Sequence, residues 1–259
     1  MPLDAILPAL AAGAIIGAVL AMFGAGGSIL AVPLLIYFVG ISSTHSAIGT
    51  AAVAVALSAF ASLIGHTRAG NVKWPCAIGF AGFGIIGAAL GAELGKTIDG
   101  SRLLLLFGIV MIVVGVSMWR SRPQSGNPEV QMTRANALPM LAKVLPIGLV
   151  VGFAAGLFGI GGGFLIVPGL ILATRMPMIN AAATSLVVIS ALGLTTATSY
   201  AFSGYVNWQI TGLMVAGGIA GAALGLPIGR RLSTRRGLMR KVFGTMVIAL
   251  GASLSIGSA

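Results

Sequence analysis

The sequence predicts an all-α polytopic membrane protein: two inverted repeats of about five helical segments each, with the second segment of each repeat short and broken. Three observations lead there. First, the 259 residues include 15 Lys+Arg and 4 Asp+Glu, so 7% are charged while 58% are hydrophobic. An ordinary soluble domain carries about 25% charged residues, and so few charges could not cover its surface. Second, the apolar runs are continuous, as in residues 103–119. A membrane barrel would alternate apolar and polar residues, so the runs read as helices. Third, the chain is duplicated.

The duplication is read from motifs. Phe23, Gly24, Gly26, Gly27, Val32 and Pro33 recur as Phe158, Gly159, Gly161, Gly162, Val167 and Pro168. Gly70-Asn-Val-Lys-Trp74 recurs as Gly204-Tyr-Val-Asn-Trp208, and Gly87, Gly91 and Gly95 recur as Gly221, Gly225 and Gly229. Phe107, Gly108 and Gly115 return as Phe243, Gly244 and Gly251. A first unit over 1–119, a linker over 120–142 and a second unit over 143–259 follow. The linker is the only long polar stretch, with Pro123, Gly126 and Pro128.

In the first unit the apolar segments fall at about 5–22, 27–39, 44–65, 75–93 and 102–119. In the second they fall at about 143–158, 162–174, 179–202, 209–227 and 238–256. The short second segment of each unit rises only about 20 Å as a helix, less than the roughly 30 Å hydrocarbon core. It reads as a half-length helix or a re-entrant arm. Asp4 and the lack of a basic N-terminal region make the first run a permanent span rather than a cleaved signal.

Charge chooses the topology. If the short segments cross, Lys96 and Arg102 lie on one face and the other 13 of the 15 basic residues on the opposite face. If they do not, the split falls to 6 against 9. The positive-inside rule therefore selects ten crossings, a cytoplasmic linker and both termini outside a bacterial inner membrane. Five crossings per unit invert one unit relative to the other, a recurring plan of secondary transporters. The net charge of +11 is mostly this topological signal. Arg230 to Lys241 reads as an anchor to anionic lipid, with nucleic acid excluded as a partner. Trp74, Trp119 and Trp208 stand at span edges, as interfacial anchors do.

Candidate site residues follow from the helix breaks. Glycines at 24, 26 and 27, and at 159 and 161–163, are expected to unwind the helix. Unwound backbone in a bilayer persists where protein buries it or a polar cavity meets it. Free N–H groups and the positive end of the next half-helix would then attract an anion, and two copies could converge on one point. Gly24, Gly26, Gly27, Ser28, Gly159, Gly161, Gly162 and Gly163 are thus candidate anion ligands, with Pro33 and Pro168 as hinges. A purely structural break is the rival. Thr50, Asn180, Thr184 and Ser185 are added as hydroxyl and amide donors, with Thr50 read as the repeat partner of Ser185; helix-to-helix bonding is the alternative. Scattered glycines such as Gly87, Gly91, Gly221 and Gly225 read as close packing.

Other chemistry is thin. No Asp or Glu falls mid-span, where a proton relay would stand; Glu93 precedes Lys96 by one turn near a helix end. His45 and His66 fall at helix ends and read as solvated, and they are the candidates if protons are coupled. A single cysteine, Cys76, rules out a disulfide or a thiolate zinc site. No catalytic residue, metal or cofactor is expected, and the protein does not read as an enzyme.

The doubled Phe-Gly-x-Gly-Gly-(Ser/Gly)-x-x-x-Val-Pro segment and the Gly-x-Val-x-Trp element resemble the sulfite exporter TauE/SafE family over about residues 5–256. Ser28 departs from the second copy, which has Gly163. The resemblance implies a permease for a small sulfur-containing anion, such as sulfite or an organosulfonate, held between the two glycine breaks and moved by alternating access. A passive anion channel and, further off, an intramembrane enzyme are the alternatives. The lipid bilayer is the other expected partner; the oligomeric state is left open.

Overall fold

The structure is a computed structural model that describes residues 3–120, 137–159, 163–232, 244–245 and 247–252. No strand occurs among the described residues. The helices are α1 (Leu3–Phe23), α2 (Ser28–Pro33), α3 (Thr44–Arg68), α4 (Trp74–Thr97), α5 (Gly100–Arg120), α6 (Ala137–Phe158), α7 (Gly163–Thr174), α8 (Met178–Phe202) and α9 (Trp208–Leu232). A 3-10 turn, Ala25–Gly27, precedes α2, and a π-helical turn, Leu34–Phe38, extends it. Among the described residues six helices contain stretches long and apolar enough to cross a membrane, while Ile6–Met22, Ser28–Phe38 and Gly163–Thr174 are shorter apolar helices. Residues 244–245 and 247–252 are also helical and pack on α5 through Gly115 and Gly251.

Local chemistry sets several ends. The Ser43 hydroxyl accepts the Ser46 N–H and caps α3. Pro75 occupies the first turn of α4, where its missing N–H costs nothing. Past Pro33 the helix widens to the π turn, with Val39 N–H donating to Leu34 O, whereas α7 continues through Pro168 to Thr174. α6 begins at Ala137, within the stretch read as the linker. The rest of that linker, 121–136, lies outside the described residues.

Glycine decides which helices touch. α1 packs most extensively on α9, and α4 on α6, so each unit lends its first helix to the other. A Cβ on Gly87 would meet Leu149 O, and one on Gly91 would meet Phe153 O. Across the equivalent seam, Gly221 faces Ala14 O and Gly225 faces Ala18 O. These glycines let two backbones approach where side chains could not fit.

The same contacts give helix directions. Along α1 and α9, Gly13 meets Met214 and Gly17 meets Gly218, so the two run parallel. Ser58 beside Gly218 and Gly65 beside Leu226 make α3 parallel to α9. Gly84 and Ala88 of α4 meet Gly152 and Gly156 of α6, and Gly84 and Gly95 meet Leu192 and Tyr200 of α8. Hence α4, α6 and α8 share a direction. Gly49 against Tyr200 and Ala56 against Gly193 make α3 antiparallel to α8. Since α1 and α3 are parallel, residues 28–43 must carry the chain back from the Arg68 end of the bundle to the Thr44 end. By the same argument α7 returns the chain between α6 and α8. Corresponding helices of the two units therefore run in opposite directions.

Residues with positive φ fall in pairs too: Gly24 and Gly159, Gly40 and Arg175, Gly70 and Gly204. The centre is α3 against α8, with α2 and α7 alongside them and touching each other.

Candidate functional site

Each break turns on one glycine. Gly24 has φ 70 and Gly159 φ 65, backbone conformations that residues with a Cβ rarely adopt. Gly24 lies against the backbone of Ala182 in α8, and Gly159 against Ile48 of α3. The first break is tighter than the glycine count suggests: Ala25–Gly27 forms a 3-10 turn rather than unwound chain. Gly27 is needed for packing, because a Cβ there would strike Ile16 O and come within 2.7 Å of Leu20. Gly26 and Ser28 are buried, and Gly163 opens α7 in a buried position. Gly161 and Gly162 lie outside the described residues.

The two positive-φ glycines stand apart. Gly24 touches Ala182, and Gly159 touches Ile48, whose neighbour Gly49 touches Tyr200. From Ala182 to Tyr200 is five turns of α8, about 27 Å. From Gly24 the first break turns back along α1, where Gly27 packs on Ile16 and Leu20, and its 3-10 turn touches α7. α1 and α6 run in opposite directions, so each ends, with its positive-φ glycine, at the far end of its own crossing.

The hydroxyl and amide residues tie loops to helices. Thr50 Oγ1 accepts the Asn207 N–H at 3.0 Å, and Thr184 Oγ1 accepts the Lys73 N–H at 3.0 Å. Both bonds join opposite units, and each receives the fourth residue of a Gly-x-Val-x-Trp element. They also correct the repeat register: Thr50 corresponds to Thr184, not Ser185. Helices α3 and α8 begin at Thr44 and Met178, so the one-residue difference between units lies in the loop before them. Ser185 Oγ donates to Ala182 O at 2.7 Å, and Asn180 Nδ2 donates to Asn71 O at 2.9 Å. Thr50, Thr184, Ser185 and Ser28 are fully buried.

The histidines are not the solvated loop residues expected. Both lie within α3 and are partly buried. His45 Nε2 sits 3.3 Å from Gly95 O and 3.2 Å from Ile98 O, at the end of α4. His66 Nε2 sits 3.2 Å from Ala21 O, near the end of α1. Carbonyls only accept, so Nε2 carries the proton in each. Each ring thus serves the exposed carbonyl end of another helix, where positive charge is also favoured. His66 stands beside the Gly24 break, and Tyr200 holds the equivalent place in the second unit.

Sequence reasoning missed a polar group at the Thr44 end. Glu93 Oε1 accepts from Lys96 Nζ at 2.8 Å and from Ser199 Oγ at 2.8 Å, while Lys96 Nζ also donates to Ser203 Oγ at 3.0 Å. The Glu93–Lys96 spacing was visible; Ser199 and Ser203 come from the other unit and left no local signal. Nearby, an open recess of about 650 Å³ is lined by residues 39–43, Ser46 and 204–210. Among the described residues no group of three or more His, Cys, Asp or Glu could hold a metal.

Repeated helical motifs, glycine seams between helices and short return helices define a polytopic α-helical membrane protein. The profile of the family described as "Sulfite exporter TauE/SafE" matches residues 9–254, and the chain belongs to that family. It is 46% identical over 250 residues to a "Probable membrane transporter protein" of Xylella fastidiosa strain Temecula1, covering 96% of this chain and 95% of the relative. It is 29% identical over 266 residues to the "Probable membrane transporter protein YunE" of Bacillus subtilis, covering 93% and 94%. A probable membrane transporter protein of Methanocaldococcus jannaschii is 28% identical over 253 residues, covering 90% and 91%. No solved structure gives a significant match. The chain is a membrane transporter protein.

Proposed function

We propose that this transporter is a secondary permease for a small sulfur-containing oxyanion, sulfite or an organosulfonate, working by alternating access between two inverted units. The observation that carries the reading is the opposed direction of corresponding helices around α3 and α8, with one positive-φ glycine toward each end. Such paired discontinuities recur where transporters receive substrate. The first break turns back along α1 and touches α7, so the two breaks would hold the anion between them, with Gly24, Gly26, Gly27 and Ser28 from one unit and Gly159 and Gly161–Gly163 from the other. Pro33 and Pro168 would allow the return helices to flex. His66, beside the Gly24 break, is the candidate for proton coupling, and His45 for the opposite end.

The Arg68 end would face the cytoplasm. Helix directions bring Arg68, Lys73, Arg120, Lys143 and Arg175 to that end, against Lys96 and Arg102 at the other, and the positive-inside rule orients the molecule accordingly. The linker would be cytoplasmic, the termini outside and the membrane a bacterial inner membrane. The test is flux of radiolabelled sulfite into vesicles holding the purified chain. Saturable uptake, reduced by Gly24→Val, supports the reading. Current that follows voltage without saturating would make the protein a channel instead.

A further inference from the structure

The two Gly-x-Val-x-Trp elements form the loops that lead into α4 and α9. Each reaches from its own unit into the other, where its fourth N–H is held by a buried threonine: Lys73 by Thr184 and Asn207 by Thr50, both at 3.0 Å. One such tie closes each end of the bundle. We infer that these loops are the gates of the transport cycle, and that Asn180 gives the gate at the Arg68 end a hydrogen bond that the other end lacks. The inference rests on the alternating-access reading above.

The two ends differ at equivalent positions. At the Arg68 end, the loop carbonyl of Asn71 receives a second bond from Asn180 Nδ2 at 2.9 Å. At the Thr44 end Asn180 is replaced by Ser46, whose side chain reaches one atom less far. There the equivalent carbonyl, Tyr205 O, instead lies over Gly49, where a Cβ would stand only 2.5 Å from it. The open recess also lies at this end, bordered by Ser42, Ser46, Tyr205 and Asn207. To open, an end must lift its loop from the threonine. That step breaks the threonine tie and the ring contacts of Tyr205 with His45 and Tyr200 at the Thr44 end, and the threonine tie plus an amide bond at the Arg68 end. Removing the Asn180 bond therefore shifts the protein toward opening at the Arg68 end.

The test uses the full chain with Cys76→Ser, so that introduced cysteines are unique. Val72→Cys and Val206→Cys place equivalent reporters in the middle of each loop, read with a membrane-impermeant maleimide applied from either side. Asn180→Ser is expected to raise labelling of the Val72→Cys reporter about five-fold, the value of one hydrogen bond, and to lower labelling at Val206→Cys. Ser46→Asn is expected to do the reverse and keeps the test available should Asn180→Ser fold poorly. Unchanged labelling of Val72→Cys in a variant that still carries sulfite overturns the gate assignment. A rise at one end with no fall at the other supports the loop ties but contradicts alternating access.

Discussion

The seam between α4 and α6 offers a test with its own control. Gly91 and Gly82 lie on the same helix. A Cβ at Gly91 would meet Phe153 O, and would also lie 2.8 Å from Leu157 N and 2.9 Å from Phe153 C, all of it backbone. At Gly82 nothing lies within 4 Å. Replacing either by Ala gives the same helix-propensity gain, about 1 kcal/mol. Only Gly91→Ala must push two helices apart, and overpacking of this kind costs about 1–3 kcal/mol. Propensity cancels in the comparison, so Gly91→Ala should be about 1–3 kcal/mol less stable than Gly82→Ala. Reversible unfolding in mixed detergent, followed by tryptophan fluorescence, measures the difference. Gly225→Ala against Gly212→Ala repeats the experiment on α9, where Gly212 also has open space. Equal stability within each pair would refute the seam as the contact that joins the units.

Three further outcomes follow. Thr184→Val removes the acceptor for Lys73 N–H and should cost about 1–3 kcal/mol, with Thr184→Ser recovering most of it in the same unfolding assay. Gly24→Ala should lower the melting temperature more than Gly70→Ala. Both residues have positive φ, but only Gly24 is pressed against the backbone of Ala182, while Gly70 has nothing within 4 Å. His66→Ala should destabilise by about 1 kcal/mol by removing the donor to Ala21 O; His66→Gln restores stability, and if His66 also couples protons it will not restore the pH dependence of flux.

Much of the architecture was legible because it is written in spacing. The repeated glycines of α4 and α9 face carbonyls of α6 and α1, so their periodicity recorded a packing surface. The short return segments were legible from length against bilayer thickness, and their termini moved by only a residue or so. What was not legible depends on which helices meet. Spacing placed two glycine breaks in equivalent positions but carried nothing about the exchange of α1 and α6, each of which packs on a helix of the other unit. The histidines were misread for the same reason: their carbonyl partners lie 45 to 53 residues away in the chain. The partner of Thr50 was displaced by one residue because the length difference between units sits in an irregular loop.

The most direct test of the central claim is sulfite counterflow in sealed vesicles. Vesicles preloaded with unlabelled sulfite are diluted into labelled sulfite, with the membrane potential clamped at zero. Alternating access predicts a transient accumulation of label above its external concentration, saturating with sulfite and abolished by Gly24→Val. Label that rises only to equilibrium, at a rate linear in concentration, would contradict it.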